Sequence, residues 1–422
     1  MKNRLAIKGG PKAINRKFSD YSSIGKEEVI AAKKVISSKV LSKFLGCWDE
    51  DFYGGPMVRK FERQWAKCFR TKYAVSVNSN TSGLIAALGA VGVEPGDEVI
   101  VSPWTMSASA TAILVWNAIP VFADIDPNTF NLDPDSIEKN ISRRTKAIMV
   151  PDIFGQAADL TKIMAIAKKH NLKVIEDAAQ APGAMYKGRY VGTVADIGVF
   201  SLNYHKHIQT GEGGMCVTND KRLAERMRLI RNHGEVVAKD KDVGSIVNII
   251  GFNFRMTEID AAIGIEQLKK LQGLLKAKVR SADRLTSGLK GLEGLTPPFV
   301  QNGCTHVYYV YPLVLDTDKA GASRYRIVRA LIAEGVPNIF EGYSLIHQLP
   351  LYQKKIAYGT GGYPWSAAGR NISYRKGICP KAEELHDHTF IGMELCKSNY
   401  TDREVDLVIA AFKKVWANRR EL

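Results

Sequence analysis

From about residue 70 to 220 the chain alternates short β-branched apolar runs with stretches whose apolar residues recur at helical spacing. Tyr73–Val77 predicts a strand and Thr81 to Gly89 a helix. A Pro95-Gly96-Asp97 turn leads into a strand at Val99–Val101. Ile119–Phe122, Ala147–Val150, Leu172–Ile175, Ile197–Phe200 and Met215–Thr218 repeat the strand pattern. Strands separated by helix-length segments imply βαβ units and a mostly parallel sheet covered on both faces. After Asn219-Asp220, a plausible cap, Leu223, Met227 and Ile230 fall at i, i+4 and i+7 and mark one face of a helix.

A long helical run from Met256 toward Leu289 leaves this region. Beyond it Val307–Leu315 reads as a strand, and Ser323–Glu334 and Asp402–Asn418 as helices. Gly359–Gly369, rich in glycine and small residues, reads as a loop or insertion. The expected organisation is α/β: an N-terminal segment and large domain over 1–275, then a smaller α+β domain over 276–422. The chain shows no internal repeat and no low-complexity tract.

Composition changes this picture little. The 422 residues are 45% hydrophobic and 24% charged, ordinary for a globular protein and ample for two domains sharing a core. Charge is less ordinary: 59 basic against 43 acidic residues give +16. The basic residues are spread along the chain, which favours a solvated basic surface. Such a surface suits an anionic small substrate without requiring one. Arg143-Arg144 and Arg419-Arg420 are too short for a nucleic-acid arm, and no nucleic-acid partner is expected. Cys47, Cys68, Cys216, Cys304, Cys379 and Cys396 show no C-x-x-C spacing, which argues against a zinc site and a disulfide scaffold. The opening MKNRLAIKGG lacks a signal peptide's apolar run, and no stretch approaches the ~20 apolar residues that span a bilayer. A cytoplasmic, reduced protein without a membrane partner is expected.

Three segments carry candidate chemistry. Val174-Ile175-Glu176-Asp177 is an apolar strand ending in two carboxylates, and open α/β sheets place ligands at the carboxyl ends of their strands. Such a carboxylate serves as metal ligand, ribose contact, partner of a cationic ring, or plain solvated loop residue. Ser201 to Gly214 joins two strands and holds Lys206 between His205 and His207, ahead of a glycine-rich turn. Glycines there permit close backbone approach to a bound group. A lysine with its ammonium form disfavoured becomes a nucleophilic amine. The two histidines lack a third ligand, so a metal site is not expected. Asn78-Ser79-Asn80-Thr81-Ser82-Gly83 precedes a helix, an arrangement that either caps the helix or binds an anion such as phosphate.

Together VIEDAAQAPGA (174–184), SLNYHKHIQTGEGG (201–214) and GFNFRMTEIDAAIGIEQLKKL (251–271) resemble the DegT/DnrJ/EryC1/StrS family of sugar aminotransferases. The likeness runs from about residue 25 to the C-terminus. It implies the fold-type-I architecture and pyridoxal 5'-phosphate as cofactor. By this resemblance Lys206 is the Schiff-base lysine and the proton shuttle. Asp177 pairs with the pyridine nitrogen and keeps it protonated, so that the ring acts as an electron sink. Gln180 lies near the ring's 3-hydroxyl. Ser201, Thr81 and Ser82 hold the phosphate, and Asn253 reaches it from a neighbouring subunit, which makes a homodimer the smallest complete active site.

The chain departs from the family pattern in places. An aromatic residue often covers the ring just after a threonine; here Thr105 is followed by Met106 and preceded by Trp104, so either is the cover. Asn80 stands where the phosphate turn usually has glycine, and asparagine tolerates left-handed backbone angles. Asp152 stands where many members have histidine at the end of the fourth strand, and Leu202 replaces a phenylalanine.

The expected reaction moves an amino group from glutamate or glutamine to a keto sugar, usually nucleotide-linked, for surface polysaccharide or amino-sugar synthesis. A free keto-cyclitol such as scyllo-inosose ranks second. Leu5–Pro11 and the segment from Tyr352 to Cys379 resemble the inosose-aminotransferase branch, and Arg370, Tyr374, Arg375 and Lys376 face either a phosphate-bearing substrate or water. Sugar dehydration, which in this family replaces the lysine by histidine, ranks lower because Lys206 is present. A non-enzymatic regulator ranks lowest.

Overall fold

In the computed structural model, which describes residues 4–241 and 243–422, two α-helices precede the first strand among the described residues. They are α1 (Lys26–Ser37) and α2 (Pro56–Phe69). The alternating region then runs β1 (Tyr73–Val77), α3 (Asn80–Ala90), β2 (Glu98–Val101), α4 (Ala108–Val115), β3 (Ile119–Phe122), α5 (Pro134–Asn140), β4 (Thr145–Pro151), α6 (Leu160–Lys169) and β5 (Lys173–Asp177). A two-stranded hairpin, β6 (Met185–Tyr186) and β7 (Arg189–Tyr190), precedes β8 (Ile197–Ser201), β9 (Gly214–Thr218) and α7 (Lys221–Arg231). Asp220 caps α7 through the Arg222 and Leu223 amides, as the sequence suggested.

The seven long strands form one sheet in the order β1-β9-β8-β5-β4-β2-β3. Only β9 runs against the rest. All residues of β2, β3, β8 and β9 are buried, because helices cover both faces. Register decides what meets at the sheet's edge. Asp177 pairs with Val199, Ser201 with Gly214, and Gly214 with Val77. The ends of β1, β5 and β8 and the start of β9 therefore lie side by side.

Helix α8 (Glu258–Leu289) is 32 residues long and begins at Thr257, whose hydroxyl accepts from the Asp260 amide. At 1.5 Å per residue it spans about 48 Å, packing on α1 and α2 at one end and on the terminal helix Asp402–Ala417 at the other. A four-stranded antiparallel sheet follows, ordered β10 (Leu295–Thr296), β11 (Val310–Leu315), β13 (Phe390–Glu394) and β12 (Ile339–Glu341).

The two largest apolar cores do not follow chain order. The smaller joins Leu313, Ile391 and Phe412 to Leu5, Ile14 and Phe18 from the N-terminus. The larger takes in Tyr352, Trp365 and Tyr374 from the late segment. That segment docks at the start of β2 and β3, the edge opposite Asp177. Arg370 makes two bonds to the buried Glu98 carboxylate, at 2.5 and 2.6 Å, and Tyr374 donates to the Pro120 carbonyl at 2.7 Å. Lys376 pairs with Asp387 at 2.6 Å, and Arg375 is exposed. Arg370 and Tyr374 are thus structural anchors of this segment.

Candidate active site

Strand alternation sends the two carboxylates of β5 in different directions. Glu176 accepts from the amides of Gly192, Val194 and Ala195 at 2.7–2.8 Å and so staples the turn ahead of β8. Asp177 faces a cavity instead, which it shares with Ser79, Thr81, Met106, Gln180, Ser201 and Lys206. Its Oδ2 accepts from Ser109 Oγ at 2.8 Å, and its Oδ1 from Asn80 Nδ2 at 3.1 Å and the Ala179 amide at 3.3 Å. Burial pushes the Asp177 carboxyl above its ordinary range; the Ser109 and Asn80 donors, with the Lys206 charge, pull it back.

Lys206 is carried by a loop that closes on itself. The Leu202 amide donates to the Gly213 carbonyl and the Thr210 amide to the Leu202 carbonyl, each at 2.9 Å. A Cβ on Gly214 would come within 2.7 Å of the Ser79 carbonyl carbon, so glycine lets this loop lie against the turn that starts α3. Lys206 is 8% exposed, and its Nζ sits 4.2 Å from the centre of the Tyr309 ring. Burial pushes the amine down to about 8, against the pull of the Asp177 carboxylate. Its histidine neighbours are uncharged at neutral pH, each keeping a single ring N–H. His207 is fully buried, donates from Nε2 to the Val307 carbonyl at 2.9 Å, and falls to about 3. His205 lines the cavity and falls to about 4, through burial and then the Lys206 charge.

At the start of α3, Ser79 caps the helix through the Ser82 amide at 3.1 Å. The Ser82 hydroxyl donates to Asn78 Oδ1 at 2.6 Å and is therefore spent on the turn. Thr81 is exposed on the cavity wall, beside the helix's first free amides. Asn80 is right-handed as the first residue of α3. Its tolerance of left-handed angles is not what places it there; its side chain reaches Asp177.

Residues 43–382 match the profile of the DegT/DnrJ/EryC1/StrS aminotransferase family. The chain belongs to that family. It is 38% identical over 355 residues to spore coat polysaccharide biosynthesis protein SpsC of Bacillus subtilis, covering 82% of this chain and 88% of that protein. To GDP-perosamine synthase of Caulobacter vibrioides it is 40% identical over 295 residues, 69% of this chain and 78% of that one. To L-glutamine:scyllo-inosose aminotransferase of Streptomyces griseus it is 36% identical over 346 residues, 79% and 80%. The solved aminotransferase from Psychrobacter cryohalolentis superposes with a TM-score of 0.81 at 31% identity, over 95% of this chain and 99% of that one. As a DegT/DnrJ/EryC1/StrS member the chain is an aminotransferase of fold type I.

In this aminotransferase the fold brings Lys206, Asp177, Gln180, Ser201, Thr81 and Met106 to one cavity. Gln180 is held there by the Phe154 amide, which donates to its Oε1 at 2.8 Å. Trp104 is fully buried against Tyr343 and Phe390 and does not line the cavity; Met106 does, 60% exposed. Asp152 is fully buried, with Oδ1 taken by the Ala158 amide at 3.3 Å. Burial, then the Glu176 charge, raises its carboxyl well above the ordinary range. Ser82 and Asn253 do not line the cavity; Asn253 is exposed, and its Oδ1 accepts from Arg255 Nε at 2.7 Å. Ser109, the Asn80 amide and Tyr309 were not foreseen. A serine inside the apolar run of α4 was the one available signal, since a buried hydroxyl requires a partner.

Proposed function

We propose that this aminotransferase uses pyridoxal 5'-phosphate to transfer an amino group from glutamate or glutamine to a keto sugar, with a nucleotide-linked sugar as the leading substrate class. One observation carries the reading: a buried lysine, a buried aspartate and a helix N-terminus with free donors line a single cavity. The donor set fits the cofactor. Asp177 would hold the pyridine nitrogen protonated, Thr81, Ser201 and the first amides of α3 would take the phosphate, and Gln180 lies at hand for the ring hydroxyl. Asn80 Oδ1 and Asn203 Oδ1 are buried acceptors without partners on the cavity wall, as expected where a ligand supplies donors. Met106, on the cavity wall, would be the residue to cover the ring.

The bound cofactor supplies an electron sink for the carbon that gains or loses the amino group. The protein supplies the proton transfers. At pH 7 roughly a tenth of an amine near 8 is neutral, against well under a thousandth for an ordinary lysine. Lys206 would thus condense readily with a carbonyl, with loss of water, and when the donor's amine displaces it would take the proton from the donor's α-carbon and return it on the other side of the reaction. The buried setting keeps water from competing for that proton. The exposed Asn253 would serve the partner's phosphate, which makes the working unit a homodimer.

The names of SpsC and GDP-perosamine synthase support the sugar class, and the charge of +16 suits a diphosphate. A free keto-cyclitol is the second reading, favoured by the scyllo-inosose relative. The Tyr352–Cys379 segment lends it no support, because none of it lines this chain's cavity. Lys206 stands against dehydration. Among the described residues no helix is long and apolar enough to cross a membrane, and with six free cysteines a cytoplasmic setting is proposed.

The test is spectroscopic. The purified protein with the cofactor should show a visible chromophore that glutamate or glutamine bleaches and a nucleotide-linked keto sugar restores. Recovery with scyllo-inosose alone would reverse the substrate order, and a protein that never binds the cofactor would end the proposal.

A further inference from the structure

We infer that Ser109 and Asn80 are positioning residues for the cofactor: they clamp the Asp177 carboxylate from two sides and leave one acceptor site of Oδ2 for the ring nitrogen. The inference rests on the cofactor reading above. A carboxylate offers about four acceptor sites. Oδ1 spends both of its sites on Asn80 Nδ2 and the Ala179 amide. Oδ2 spends one on Ser109 and keeps one.

Proton counting gives the clamp a direction. Ser109 has one hydroxyl proton, and an ionised carboxylate can only accept, so that proton goes to Asp177. Ser109 Oγ also lies 3.0 Å from Thr105 Oγ1, and Thr105 must therefore donate in that contact. The chain Thr105 to Ser109 to Asp177 is one-way, and such chains polarise toward their charged end. Asn80 closes the other side from the first turn of α3, 97 positions away in sequence. Ser109, Asn80 and Ala179 are thus neutral donors compensating a charge that burial disfavours. Removing one would let the carboxylate protonate or turn, and its hold on the ring nitrogen would go with it.

The experiment compares binding of pyridoxal 5'-phosphate with that of its 1-deaza analogue, which lacks the ring nitrogen, by equilibrium dialysis. Wild type should prefer the natural cofactor. Ser109→Ala and Asn80→Gly should each cut that preference roughly tenfold, the worth of one hydrogen bond to a charged group, and Ser109→Thr should retain it. In an Asp177→Asn background, Ser109→Ala should leave the preference unchanged. The preference is a ratio within one variant, so a general loss of stability does not move it. Equal losses for both compounds, or no loss for either, would overturn the inference alone. Failure of wild type to bind either compound would overturn the cofactor reading and this inference with it.

Discussion

Lys206 Nζ lies over the face of the Tyr309 ring, 4.2 Å from its centre. Tyr309 immediately precedes β11 of the smaller sheet yet packs against the larger core, so the lysine of the large domain's loop rests on a ring that the smaller sheet's strand delivers. A ring face attracts an ammonium and so favours the charged form, in opposition to burial. Tyr309→Leu should therefore lower the pH at which the amine becomes nucleophilic, by about half a unit to one unit. Tyr309→Phe should keep the wild-type midpoint. The pH dependence of cofactor uptake by the apo-protein measures both, and a midpoint that rises in the leucine variant would refute the role.

Lys206 also makes a stability prediction. Its amine is near 8 when folded and 10.5 in the unfolded chain. The unfolded state then holds more protons between those values, and stability rises with pH across that window. Lys206→Met should stabilise the apo-protein at pH 7 by about 3 kcal/mol. The advantage should shrink from pH 8 upward and fade toward pH 10.5. Thermal melts of both proteins along that series test it; a constant difference would mean that the cost is not the buried charge.

Glu62 and Arg231 form a buried pair at 2.6 Å that ties α2 to α7 and, through Ser76, to β1. Arg231 is fully buried and packs on the Phe44 ring at 4.7 Å. Glu62→Gln strands a guanidinium without its counter-charge, at a cost of about 3–5 kcal/mol. The midpoint of urea unfolding should fall accordingly.

Arg370 anchors the late segment on Glu98, which Ser142 also holds at 2.6 Å. Arg370→Ala should cost roughly 1–3 kcal/mol and expose residues 352–379 to limited proteolysis. The rate of bleaching by the amino donor should stay at the wild-type value. A slowed donor reaction would mean that this segment reaches a site after all.

The sequence by itself determined the alternation of strands and helices, the parallel sheet and the clustering of motifs at one end of it. These follow from apolar periodicity and from turn and cap residues, which act within a few positions of one another. The residue pattern of β5 left both carboxylates open, and only the family resemblance chose Asp177. Tertiary structure supplied the physical reason, because strand alternation sends Glu176 to a backbone staple and Asp177 to Ser109 and Asn80, 68 and 97 positions away. It likewise placed Tyr309 under Lys206, sent Arg370 to the far edge of the sheet, and gave Leu5 and Phe18 to the second core. Contacts at such separations are set by how the crossovers bring strand ends together, and no local pattern of residues records that.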